Sequence, residues 1–206
     1  TTFLVRRHAG KVLDVAIDLS GAYVASSASD GLIAVDALED APEDSDDVHG
    51  ATGWTHLYAR PILSVAFCPG YASGVIRSRV VCVGGEEGKL ILNRRGVFGS
   101  KNVMVHMGEG PISVVRWRGP LVAWANTRGV KVVDVETYQK VTHIMHPRGQ
   151  EVTSAASGFR CCLAWSTDDV LLIGWGTVVM VAEVRQKVGG PVGVRFTRVV
   201  HCFEIP

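Results

Sequence analysis

Four stretches of this 206-residue chain carry the same short apolar pattern at a nearly fixed interval. Val15 in VLDVAID, Val65 in ILSVAFC, Val114 in ISVVRWR and Leu163 in CCLAWS stand 50, 49 and 49 positions apart. Self-similarity at this period marks a repeat architecture, in which each unit buries its apolar faces only by stacking on its neighbours. The chain must therefore be a row of similar units.

The stretch Ile112 to Glu136 shows what one unit contains. Val114, Arg116 and Trp117, then Leu121, Ala123 and Trp124, then Val130, Val132 and Val133 form three short runs, parted by Arg118-Gly119-Pro120 and Asn126-Thr127-Arg128-Gly129. Runs of this length, rich in Val and Trp and broken at Gly, Pro and Asn, read as antiparallel strands in a meander. A fourth strand follows at Lys140 to Met145. The first unit gives Val12–Ile17, Tyr23–Ser27, Leu32–Leu38 and Trp54–Ala59, and the second Ile62–Cys68, Arg79–Gly84, Lys89–Arg94 and Asn102–Met107. The fourth gives Arg160–Trp165, Val170–Trp175 and Thr177–Val184, with one last strand at Thr197–Phe203.

A four-stranded sheet stacked between two others is apolar on both faces, which accounts for the almost continuous apolar runs VVRW, LVAW and VLLIGW. The expected fold is an all-β propeller of WD-repeat-like blades, with units near 11–59, 62–107, 112–145 and 160–203. A two-sheet sandwich is the alternative fold, and a recurrent unit of about fifty residues favours the propeller. Four blades are the fewest a closed ring uses, Phe3–Arg6 reads as a strand lacking partners, and Thr197–Phe203 reads as the entry to another repeat. The chain is thus expected to be an arc of a larger ring with two open blade faces.

Composition removes several function classes. Hydrophobic residues make up 47% and charged residues 20%, and 21 basic against 20 acidic residues leave a net charge of +1. Such a chain has no global field to draw nucleic acid or an anionic membrane. The five cysteines have no CxxC spacing and read as reduced core residues of a cytosolic protein. The longest run without charge, Val170 to Ala182, is interrupted by Gly174-Trp175-Gly176 and is too short to span a bilayer as a helix. The opening TTFLVRRH shows no signal peptide and no initiator Met, so an earlier segment is expected.

Candidate chemistry is sparse. Gly84 to Lys89, GGEEGK, departs from the phosphate-binding loop at Val83 and Leu90, and Glu86 and Glu87 repel phosphate, so it reads as a turn. His143 and His146 lack converging ligands, no GxSxG elbow exists, and Cys161-Cys162 should alternate across a strand. Arg77, Arg79, Arg94 and Arg95 form one basic group and Arg6, Arg7 and His8 another, both read as solvated blade edges. Glu39 to Asp47, EDAPEDSDD, carries six carboxylates and reads as a solvated acidic loop, with Ser45 as a docking or phosphorylation alternative. No catalytic residue, cofactor or metal site is expected.

Certain residues carry a family resemblance. Trp117, Gly119, Trp124, Asn126 and Gly129 in the third unit, with Gly174, Trp175 and Gly176 in the fourth, resemble the N-terminal WD-repeat-type propeller of the vacuolar protein sorting-associated protein 41 family, a subunit of the HOPS tethering complex. Ser29-Asp30-Gly31 and Gly108-Glu109-Gly110 follow the same pattern, whereas the usual Trp-Asp dipeptide is replaced by Val35-Asp36 and Val133-Asp134. The resemblance implies a non-enzymatic scaffold in vesicle transport and fusion, cytoplasmic and peripheral on late endosome and lysosome or vacuole membranes. Its implied partners are other HOPS subunits, Rab or Arf-like small GTPases, the AP-3 adaptor and curved membrane, and not nucleic acid. A propeller scaffold of another coat or transport complex, or a propeller enzyme, are the alternative readings.

Overall fold

The computed structural model describes residues 7–38, 53–73, 75, 78–96, 99–146, 161–186 and 195–204. These hold sixteen strands in four antiparallel sheets, each sheet a meander in chain order. The first blade is β1 (Val12–Ile17), β2 (Tyr23–Ala28), β3 (Leu32–Ala37) and β4 (Trp54–Leu57). The second is β5 (Ile62–Phe67), β6 (Val80–Gly85), β7 (Leu90–Gly96) and β8 (Gly99–His106). The third is β9 (Val114–Arg118), β10 (Leu121–Asn126), β11 (Gly129–Asp134) and β12 (Gln139–Met145). The fourth is β13 (Cys162–Trp165), β14 (Val170–Trp175), β15 (Val178–Gln186) and β16 (Arg195–Glu204). The expected units are all present, with strand ends displaced by a few residues at most.

One expectation is corrected. Thr197–Phe203 does not open another repeat: β16 pairs with β15 from Val178↔Glu204 to Gln186↔Arg195 and is the outer strand of the fourth blade. A blade of three strands would leave the edge of β15 unpaired, and β16 satisfies its backbone groups. Phe3–Arg6, Arg77 and the acidic stretch 39–47 lie outside the described residues.

Three buried clusters form the core, one at each seam between successive blades. Ala25, Ile33 and Val35 of the first blade meet Val65, Phe67, Val81 and Val83 of the second. Ala66, Val80, Cys82 and Leu92 meet Val115, Val122, Trp124 and Val133 of the third. Leu121, Ala123, Val130 and Val132 meet Leu163, Leu171, Ile173 and Trp175 of the fourth. Successive side chains of a strand point to opposite faces. In β6, Val81 and Val83 therefore enter one seam while Val80 and Cys82 enter the next, and both faces must be apolar.

Blade-to-blade sheet packing among the described residues runs from first to second, second to third and third to fourth. Among the described residues the four blades form an arc, and no sheet packs on the outer face of the first or the fourth. The structure shifts the equivalence by one residue in the third blade, where Val115 and not Val114 faces the preceding blade. Val65, Val115 and Leu163 are 0%, 0% and 5% exposed, whereas the equivalent Val15 is 54% exposed.

The inner strands are also tied across blades. β1 and β5 carry bulges at equivalent places, between Val12 and Asp14 and between Ile62 and Ser64. Asp14 Oδ2 accepts from Ser64 Oγ at 2.5 Å and from the Val65 N–H at 3.2 Å, and Ser64 Oγ accepts from the Val115 N–H at 2.9 Å. One chain of hydrogen bonds thus links three successive blades, supplying direction to seams that are otherwise held by non-directional apolar packing.

Candidate functional site

The residues of the family pattern are blade-packing and turn residues. Trp124 is 3% exposed, enters the seam between the second and third blades and lies 5.2 Å from the His106 ring. Trp175 is buried in the next seam. Trp117 is half-buried and donates from Nε1 to the Gly119 carbonyl at 2.9 Å, closing the turn before β10. Asn126 is buried and accepts from the Arg128 N–H at 2.9 Å, closing the turn at the other end of the same strand. Gly129 holds φ at +143°, and a Cβ there would collide with the Ile144 carbonyl of the outer strand, so only glycine fits. Gly176 forms the β14–β15 turn, and Gly174 packs beside Cys162. These positions are spread over both ends of two blades and do not converge on one ligand.

Three polar clusters were not anticipated. In the first blade His8 Nε2 and Ser26 Oγ are 2.7 Å apart, and His8 Nδ1 lies 3.5 Å from Asp30 Oδ1. The trio contains the residue types of a nucleophilic triad, but Asp30 has another task. Its carboxylate accepts from the N–H groups of Ala9, Gly10 and Leu32 at 2.8, 3.0 and 2.9 Å. Burial raises the Asp30 pKa, but those backbone donors and nearby His8 outweigh it and hold the carboxyl below its ordinary value. The cluster therefore staples the loop before β1 to the β2–β3 turn. Arg7 pairs with Asp36 at 2.8 Å and its side chain is 45% exposed, and Arg6 lies outside the described residues.

In the third blade Lys131, 4% exposed, projects from the middle of β11 onto the carboxylate of Glu109. Asn126 Nδ2 donates to the same Glu109 oxygen at 3.4 Å, and His106 Nε2 lies 3.7 Å from it. The hydrogen bond from Lys131 is the main reason why the Glu109 pKa falls to about 2. Glu109 sits between two glycines at φ +64°, a strained conformation for a residue with a side chain, held by this pair. Burial and the Lys131 charge keep His106 and His143 less basic than usual.

The third cluster bridges the outer strands of the first and second blades. Asn93, fully buried, donates from Nδ2 to Asn102 Oδ1 at 2.9 Å and to Tyr58 Oη at 3.2 Å. Asn102 Nδ2 lies 3.2 Å from His56 Nε2, and His56 Nδ1 lies 3.2 Å from Ser100 Oγ. Burial pushes the Tyr58 phenol to about 12 and, with Arg95, lowers the His56 pKa. With the Asn102 amide donating to its Nε2, His56 is neutral.

Each cluster joins strands or blades and holds its polar groups to one another. Among the described residues no three His, Cys, Asp or Glu side chains converge as a metal site would need, and no helix is long and apolar enough to cross a membrane. Cys82 and Cys161 are buried thiols whose pKa values are raised by burial, for Cys161 to about 12, and Cys162 is exposed on the opposite face of its strand.

Comparison with known proteins agrees with this architecture. Residues 1–198 match the family model Beta-prop_Vps41, described as the Vps42 beta-propeller. The vacuolar protein sorting-associated protein 41 homolog of Arabidopsis thaliana is 37% identical over 180 residues, which are 87% of this chain and 17% of that protein. The Homo sapiens homolog is 30% identical over 197 residues, 94% of this chain and 21% of its own length. The chain thus spans about a fifth of the curated relatives it matches. Among solved structures, the WD40 repeats of RRP9 superimpose with a TM-score of 0.62 at 14% identity, over 85% of this chain and 49% of that one, a likeness of fold alone. The chain belongs to the Vps41 β-propeller family.

Proposed function

We propose that this chain is the propeller portion of a vacuolar protein sorting protein and acts as a non-catalytic interaction scaffold in membrane tethering at the late endosome and lysosome or vacuole. The observation that carries the reading is the family match over residues 1–198, joined to a fold whose polar clusters tie its strands and blades to one another. The packing positions Trp117, Trp124 and Trp175 and the turn positions Gly119, Asn126, Gly129, Gly174 and Gly176 build the scaffold. The arc is part of a larger ring, and a further blade covers Val15.

Within this reading the propeller joins the other HOPS subunits and is recruited by a small GTPase of the Rab or Arf-like type, with AP-3 and curved membrane as further contacts. Affinity capture on immobilised Rab and Arf-like proteins, loaded with GTP or GDP and with or without small liposomes, tests it. Recovery should depend on GTP for at least one GTPase. Equal recovery on GTP- and GDP-loaded proteins removes GTPase recruitment from the account.

A further inference from the structure

Because strands alternate in direction, the ends of β1, β5 and β9 share one end of the arc with the β7–β8 and β11–β12 turns. At that end the three first strands leave a recess of about 270 Å³. Ile17 and Leu19 line it from the first blade, Phe67 and Pro69 from the second, and Arg116 and Trp117 from the third. Leu19, in the turn after β1, is 67% exposed, so the rim is apolar and open there. Small-molecule sites begin near 300 Å³, and this volume suits one or two side chains better.

Guanidinium groups are held on the same end of the second blade. Arg94 donates from Nη2 to Tyr138 Oη of the third blade at 3.1 Å, and the Arg95 guanidinium lies 5.6 Å from the centre of the Trp54 ring. Both are half-buried, and among the described residues neither meets a carboxylate. Arg116 on the recess wall pairs with Asp14 at 3.4 Å and is 39% exposed. Arginine heads fixed against aromatic groups are preorganised for carboxylates, which they bind through paired N–H donors.

We propose that this end of the first three blades docks an acidic peptide segment of a partner protein. One bulky apolar side chain of the peptide seats in the recess, and its carboxylates pair with Arg94, Arg95 and Arg116. The site goes beyond recruitment by a GTPase and does not depend on it. An anionic bilayer is the competing ligand, but a net charge of +1 gives no long-range attraction to a membrane, and a concave recess selects a side chain over a flat headgroup layer.

Fluorescence anisotropy on the full-length protein tests this with a labelled peptide of the form Asp-Asp-Phe-Asp-Asp. The same peptide with Asn for Asp, and with Ala for Phe, should bind at least tenfold more weakly. The double variant Arg94→Glu/Arg95→Glu should lose binding to the same degree. Leu19→Ser, at an exposed turn position, should weaken the Phe peptide but not the Ala peptide. Melting temperatures of the variants show that they fold, and the peptide controls leave the protein untouched. Equal binding of the Asp and Asn peptides, or no binding of either, overturns the proposal. Failure of the peptide together with Arg94- and Arg95-dependent sedimentation on phosphatidylserine vesicles replaces it with a membrane site.

Discussion

Removing Glu109 should cost more stability than removing the buried lysine it serves. Lys131 has a side chain only 6% exposed, whereas that of Glu109 is 29% exposed and reaches water. Glu109→Gln leaves an ammonium inside the blade facing an amide, and unpaired buried charges of this kind cost about 3 kcal/mol. Lys131→Met leaves a carboxylate that water can solvate and places an apolar chain on the face of β11 that carries Val133, beside Trp124, so its cost should stay below about 1 kcal/mol. The depressed carboxyl points the same way. A carboxyl held at about 2 against its ordinary 4.5 corresponds to about 3 kcal/mol at 1.36 kcal/mol per unit, which solvent screening of a part-exposed group reduces to about 1–2. The folded pKa is depressed, so this stability is complete above pH 4.5 and is lost as pH falls through about 2. Urea unfolding of the chain and both variants at pH 7 provides the comparison. Equal losses for the two variants, or a greater loss for Lys131→Met, would refute the argument from asymmetric burial.

Trp124→Ala should destabilise by about 3–5 kcal/mol. Trp124→Phe should cost much less, because the indole N–H is buried without a partner; thermal melts of the pair decide. Gly129→Ala should cost more than about 1 kcal/mol, since the backbone is left-handed and the Cβ meets the Ile144 carbonyl, and unfolding at or above the wild-type midpoint would contradict it. His56, His106 and His143 all have folded pKa values below 6.5, so the unfolded chain binds more protons between the two values. Stability should be complete above about pH 6.5 and fall as pH drops below it. His56→Gln should flatten that part of the profile in melts from pH 5 to 8.

The blade count, the strands and the buried tryptophans were legible because they rest on local pattern. Each strand shows its period, each turn its Gly, Pro or Asn, and the repeat places Val15, Val65 and Leu163 in equivalent positions, with the third blade one residue out of step at Val115. The polar clusters were not legible, since His8 meets Asp30, Asp14 meets Ser64, and Glu109 meets Lys131 only after the chain has turned back or the blades have stacked. A signal existed all the same. Asp14, Asn93 and Lys131 are polar residues inside apolar strands, where an unpaired side chain would be costly, and each has a partner. The basic group at Arg79, Arg94 and Arg95 was visible as charge, but its aromatic supports Trp54 and Tyr138 come from the neighbouring blades. The misreading of Thr197–Phe203 has a simple origin: an outer strand and the first strand of a new repeat share the same apolar alternation, and only pairing with β15 tells them apart.

The central claim is that these blades are one arc of a larger ring, and Val15 reports on it directly. The equivalent residues of the other three blades, Val65, Val115 and Leu163, are at most 5% exposed, while Val15 is 54% exposed. Val15→Cys should be alkylated rapidly in the 206-residue chain and at least tenfold more slowly in the full-length protein, with the modified peptide identified by mass. Protection in the longer protein places a blade against β1. Equal rates in both would show that this face is left open and would contradict the ring.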